Sequence, residues 1–156
     1  MQFGIIDKME EIGVFNGRKL LYLRHSPDIN WVKEFPNKNW LLVAAIDGKN
    51  KNDLFEISEK ALDHDVCYVC CFGPQGELLH DIFDEEIVIR KVFAGDHHLP
   101  PYDLIMTTWH GDLEETLWFG LFVANIDPEI IGTVFCLDAC ETPIRSELEE
   151  IIKDYV

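Results

Sequence analysis

Residues 40–72 read WLLVAAIDGKNKNDLFEISEKALDHDVCYVCCF, and the order of apolar run, polar loop, amphipathic segment and second apolar run decides the fold. Trp40–Ile46 is apolar throughout and stops at Asp47-Gly48, the pattern of a strand covered on both faces. Asp53, with Glu56 three residues later, has the spacing of a capping box. Leu54, Ile57, Ala61 and Leu62 then recur at helical spacing. Val66–Phe72 is a second buried strand, ended by Gly73-Pro74. A strand, a helix and a strand in this order predict a parallel pair, because the crossover returns the chain to the same end of the sheet.

Outward from this unit the pattern repeats. A helix starts near Gly76 with Leu78, Leu79, Ile82 and Phe83 inward, and Ile87-Val88-Ile89 either continues it or begins an extended piece. Past the loop Asp96–Pro101, Leu104–Trp109 reads as a third strand. Asp112, with Glu115, caps a helix running to about Asn125. The Asp127-Pro128 turn precedes Gly132–Leu137, a fourth strand that ends at Asp138. Thr142 as N-cap and Pro143 at the first helical position open a last helix with Ile144, Leu148, Ile151 and Ile152 inward. In the first 39 residues, Ile5, Ile6, Met9 and Ile12 suit a short helix and Lys19–Arg24 an added edge strand. The expected fold is a three-layer α/β/α, Rossmann-like (flavodoxin-like) domain. It has a mainly parallel sheet of four strands plus an N-terminal edge strand. Residues 1–156 form one domain, with 1–39 an extension packing on the 40–156 βα core.

The charge is lopsided. Against 13 Lys and Arg stand 29 Asp and Glu, a net −16, and no Lys or Arg occurs between Lys91 and Arg145. Such a surface repels phosphate backbones, which argues against nucleic acid. It attracts metal cations, cationic small molecules or a basic protein partner. No apolar run reaches the ~18 residues of a membrane span, and the N-terminus lacks the pattern of a secretory leader. A cytoplasmic location without membrane contact is the expectation. Five cysteines fit a reducing compartment. Cys67 and Cys70, three apart on a strand, are expected on opposite faces, so their C-x-x-C spelling is not a metal site.

In open α/β sheets ligands sit beyond the carboxyl ends of the strands. The residues there are Asp47, Thr108, His110, Asp112, Asp138, Cys140 and Glu141, with no Lys or Arg among them. Gly73-Pro74-Gln75-Gly76 matches neither the dinucleotide nor the P-loop glycine pattern. No G-x-S-x-G elbow occurs, so no catalytic residue and no cofactor is assigned. Asp112 and Asp47 also read simply as a helix cap and a turn residue. A Cys140 nucleophile would need His110 beside it as base.

One helix is unusual. Leu117–Ile126 reads LWFGLFVANI, apolar nearly all round, where a helix on one sheet face needs a stripe little wider than 100°. Trp118, Phe119 and Phe122 therefore form an interface, either with the N-terminal segment or with a second copy through helix 113–125. The reading that follows is a small acidic binding protein engaging a basic partner, of an inhibitor or immunity type. The rival is a small-molecule enzyme with an acidic, Mg²⁺-assisted site at the strand ends.

Overall fold

A computed structural model describes residues 9–26, 30–33, 38–93, 95 and 97–156. Its sheet has six strands in the order β1-β2-β6-β3-β4-β5: β1 Glu10–Phe15, β2 Arg18–Arg24, β3 Trp40–Ile46, β4 Val66–Phe72, β5 Met106–His110 and β6 Thr133–Ala139. All neighbours pair in parallel except β1 with β2. Four helices follow in chain order: α1 Lys51–Asp63, α2 Gly76–Val92, α3 Leu113–Trp118, extended by a π-helical turn Phe119–Val123, and α4 Arg145–Ile152. The fold is α/β as expected, with six strands rather than four plus one. Counting only the parallel strands, their order is 1-5-2-3-4, which differs from the flavodoxin-like 2-1-3-4-5.

β3 lies in the middle of the sheet, which is why its sequence is apolar without alternation. Leu42, Ala44 and Ile46 face the α1–α2 side, where Leu54, Ile57, Leu62, Leu79 and Phe83 cover them. Leu41, Val43 and Ala45 face α3 and α4 through Leu113, Leu117, Leu121 and Leu148. The link from β2 to β3 must pass over β6, and it seals that crossing with Trp31, stacked on Phe135 at 5.7 Å.

Several local expectations change. Ile12 belongs to strand β1, not to a helix, because Asn16-Gly17 turns the chain into a hairpin. Both turn residues have positive φ, 55° and 74°, which Asn and Gly tolerate best. Ile5 and Ile6 lie outside the described residues. The 19–24 segment is no edge strand, since β1 covers one side of it and β6 the other. The cap of α1 is Asn50, whose Oδ1 accepts from the Asp53 N–H, while Glu56 reaches His25 and Lys60 instead. Ile87–Ile89 continue α2. Its last turn is fixed by Arg90, which donates to Glu86, Asp63 and the His98 carbonyl. Thr142 caps nothing, because the Ile144 N–H at the start of α4 donates to Asp138. Cys67 and Cys70 share a face. The pairing of β4 with β3 slips by one residue between Trp40 and Leu41, and that bulge shifts the alternation. Among the described residues no helix is long and apolar enough to cross a membrane.

Candidate functional site

The strand order splits the expected site residues into two groups. Asp138 near the end of β6, Cys140 and Glu141 just after it and Asp47 after β3 lie on neighbouring strands, whereas Thr108 and His110 of β5 and Asp112 just beyond it lie at the edge. Three strand spacings separate β6 from β5, about 14 Å. Cys140 and His110 therefore do not meet, and His110 does not stand beside Cys140 as the base a thiol nucleophile would need. Among the described residues no three His, Cys, Asp or Glu side chains converge to hold a metal ion.

The first group is built as structure. Asp138 is fully buried and accepts from the Tyr22 hydroxyl at 2.5 Å, Arg24 Nη1 at 3.2 Å, the Cys140 N–H at 3.2 Å and the Ile144 N–H at 2.8 Å. Arg24 also donates to the Cys140 carbonyl at 2.6 Å. A cation thus stands at this rim after all. It comes from β2, whose parallel register sets Arg24 opposite Asp138. Burial, and then the charges of Asp138 and Asp47, push the Cys140 thiol up to about 12, so it is a poor nucleophile at neutral pH. Burial and the contact with Asp138 likewise raise the Tyr22 phenol far above its ordinary value. Between β3 and β6, where helix connections leave to opposite faces, the crevice is closed. The Asp47 N–H donates to the Ala139 carbonyl, and Glu141 lies across Gly48.

The second group is more open. His110 Nδ1 lies 3.2 Å from Glu115 Oε1, and Nε2 lies 2.8 Å from Thr108 Oγ1. With Nδ1–H donating to the carboxylate, Nε2 accepts from the hydroxyl. Such a series activates hydroxyls in nucleophilic enzymes. Here Thr108 lines none of the cavities described below, and its Oγ1 also approaches the Val69 carbonyl. The series ties β5 to α3. Asp112 caps α3 by accepting from the Glu115 N–H at 2.7 Å, which leaves the Glu115 carboxylate to His110 rather than to the cap.

Two cavities flank this tie. One of about 360 Å³ lies over the ends of β4 and β5, lined by Glu77, Trp109 and His110 among others. Another, of about 350 Å³, is lined by Asp112, Glu114, Glu115, Trp118 and Tyr155. The latter opens on the outer face of α3. Leu113, Thr116, Leu117, Gly120 and Leu121 form the buried stripe. Trp118 is 50% and Phe122 38% exposed. Phe119 turns inward instead, against Tyr68 and His110 with ring centroids at 5.9 and 5.0 Å. The chain covers the end of this segment itself. Asn16 donates to the Leu121 carbonyl, Arg18 to those of Gly120 and Ala124, and Tyr155 meets Phe122 edge-on at 5.0 Å.

A larger cavity, about 450 Å³, lies at the opposite, amino end of the strands, between Tyr68, residues 101–106 and residues 125–129. Reading only the carboxyl ends misses it. The signals in the sequence are the loops Pro100-Pro101 and Asp127-Pro128, which precede β5 and β6 and carry three acids between them, Asp103, Asp127 and Glu129. Glu77 and Trp109 are missed, and Glu115 is read only as a capping-box partner, because their places beside His110 follow from contacts between elements.

A family model described as a domain of unknown function, DUF7684, matches residues 20–155, and the chain belongs to that family. No curated protein matches it.

Proposed function

We propose, since the family description names no activity, that this protein is an acidic binding protein whose partner is a basic protein docking on the outer face of α3. The reading is carried by one observation. Trp118, half exposed, stands beside a cavity of about 350 Å³ that Asp112, Glu114 and Glu115 line and, among the described residues, no Lys or Arg does. An exposed Trp with Phe122 on the next turn supplies the apolar anchor that interfaces are built around. Carboxylates at its border pair with Lys or Arg on a partner, and Trp offers a face to a cation. The net charge of −16 steers such a partner from a distance. Masking a basic enzyme surface, as an inhibitor or immunity-type protein does, is the specific form this function takes.

The test is binding to immobilised basic proteins, cytochrome c and lysozyme, at stepped ionic strength. Association should weaken steeply with salt, and Trp118→Ala should weaken it at least tenfold while leaving the thermal midpoint near that of the parent. Binding indifferent to salt, or to Trp118→Ala, would sink the reading. So would a dimer in sedimentation that Trp118→Ala dissociates, because the face would then belong to a second copy.

A further inference from the structure

We propose that the cavity at the amino ends of β4 and β5 binds a small organic cation, an amine carrying an apolar body. The site is independent of the α3 face and lies at the other end of the sheet. Its volume, about 450 Å³, is in the range of clefts that enclose small ligands. Three segments wall it: β4 through Tyr68, the strip leading into β5, and the turn that precedes β6.

Tyr68 is what distinguishes this cavity from acidic surface elsewhere. Its side chain is only 5% exposed and Phe119 holds the ring edge-on at 5.9 Å. Yet its hydroxyl has no hydrogen-bond partner among the described residues, and Tyr68 lines the cavity. The ring is buried while its hydroxyl end opens to the cavity, and a phenol so placed offers a polar handle there. The neighbouring Tyr102 has a partner, donating to Asn39 Oδ1 and accepting from the Asn39 N–H. The Tyr68 hydroxyl is therefore left for a group that enters from outside.

The rest of the wall selects that group. Asp103, Asp127 and Glu129 line the cavity, none of them in an ion pair among the described residues, and no Lys or Arg is present. Three unneutralised carboxylates repel an anion and attract an ammonium or guanidinium. Leu104, Met106 and Ile126 add apolar wall, which a hydrated metal ion would leave unused but a hydrocarbon body would bury. The ammonium meets the carboxylates, the phenol completes its hydrogen bonding, and the body lies on the apolar side.

Calorimetric titration with phenethylamine, against the uncharged 2-phenylethanol and the anionic phenylacetate, tests this. The amine should bind at least tenfold more tightly than the alcohol, and the acid should not bind. Asp103→Asn with Asp127→Asn, both exposed and outside the core, should weaken the amine at least tenfold. Tyr68→Phe should weaken it several-fold, with the thermal midpoint of the free protein kept. Equal affinity for amine and alcohol would overturn the proposal. So would no heat up to about 10 mM amine, or amine binding untouched by the double Asp variant.

Discussion

The Tyr22 hydroxyl donates to Asp138 Oδ2 at 2.5 Å, from one parallel strand to a carboxylate on the next that has no contact with solvent. The same carboxylate accepts the first N–H of the α4 turn and the Cys140 N–H, so one side chain joins β2, β6 and the start of α4. Asp138→Asn puts an amide donor among groups that already donate. It should cost about 3 kcal/mol, and Tyr22→Phe about 1–3 kcal/mol. Urea unfolding of both variants and the double variant checks this. Because the two share a bond, their losses should add to more than that of the double variant. An Asp138→Asn protein as stable as the parent would show that the carboxylate is not structural.

Arg18 is a buried cation with no carboxylate partner among the described residues. Its Nη1 and Nη2 donate to the carbonyls of Gly120 and Ala124 at 2.6 Å each, at the carboxyl end of the α3 segment. Both carbonyls lie in the last turn of that segment or just past it, and the end of a helix carries partial negative charge. Arg18→Lys keeps the charge but reaches one carbonyl at a time, and should cost about 1–3 kcal/mol. Arg18→Met should cost more. Hydrogen exchange should show the loss first in the amides of residues 121–124, before β3 or β6 is affected.

The central βα units were legible in the sequence because their signals are local. Trp40–Ile46 and Val66–Phe72 are strands with the bounds that their apolar runs define. Where tertiary contacts choose between local options, the reading strayed. Asn50 rather than Asp53 is the cap, its Oδ1 taking the Asp53 N–H, and Glu56 is drawn off by His25 and Lys60. The strand order had no local signal at all. With β6 inserted between β2 and β3, Arg24 arrives at Asp138, and Asp112 is carried about three strands away from it. The carboxyl-end rule points to the rim where Thr108, His110 and Asp112 lie. It could not reveal that Asp138 is consumed by structure, nor that the largest of these cavities opens at the other end.

Stability should fall on the alkaline side. Burial pushes the Cys67, Cys70 and Cys140 thiols up to about 12, while an unfolded thiol ionises near about 8.5. The fold favours the neutral thiol. Its contribution is thus complete below the unfolded value and is lost as pH rises toward the folded one. Burial raises the Tyr22 phenol as well, in the same sense. The urea midpoint should be flat from about pH 7 to 8.5 and decline steadily above that. Cys140→Ala should lessen the decline. In the native protein at neutral pH all five buried thiols should react with a thiol reagent no faster than the chain unfolds.

Gly48 and Gly73 both have positive φ, 71° and 104°, but what a side chain would meet differs. At Gly73 an added Cβ would collide with the backbone carbonyl oxygen of Ile46, which accepts from the Gln75 N–H and cannot swing aside as a side chain can. At Gly48 it would meet the Glu141 side chain at 2.5 Å, and that side chain can swing away. The backbone penalty common to both is about 1–2 kcal/mol. Gly73→Ala should therefore lose clearly more stability than Gly48→Ala. Adding Glu141→Ala should recover part of the Gly48→Ala loss and none of that at Gly73. Thermal unfolding of the four variants distinguishes the cases. Should Glu141→Ala leave Gly48→Ala unrelieved, Glu141 would not be what fills the crevice between β3 and β6, and that crevice would return as a ligand site to be examined.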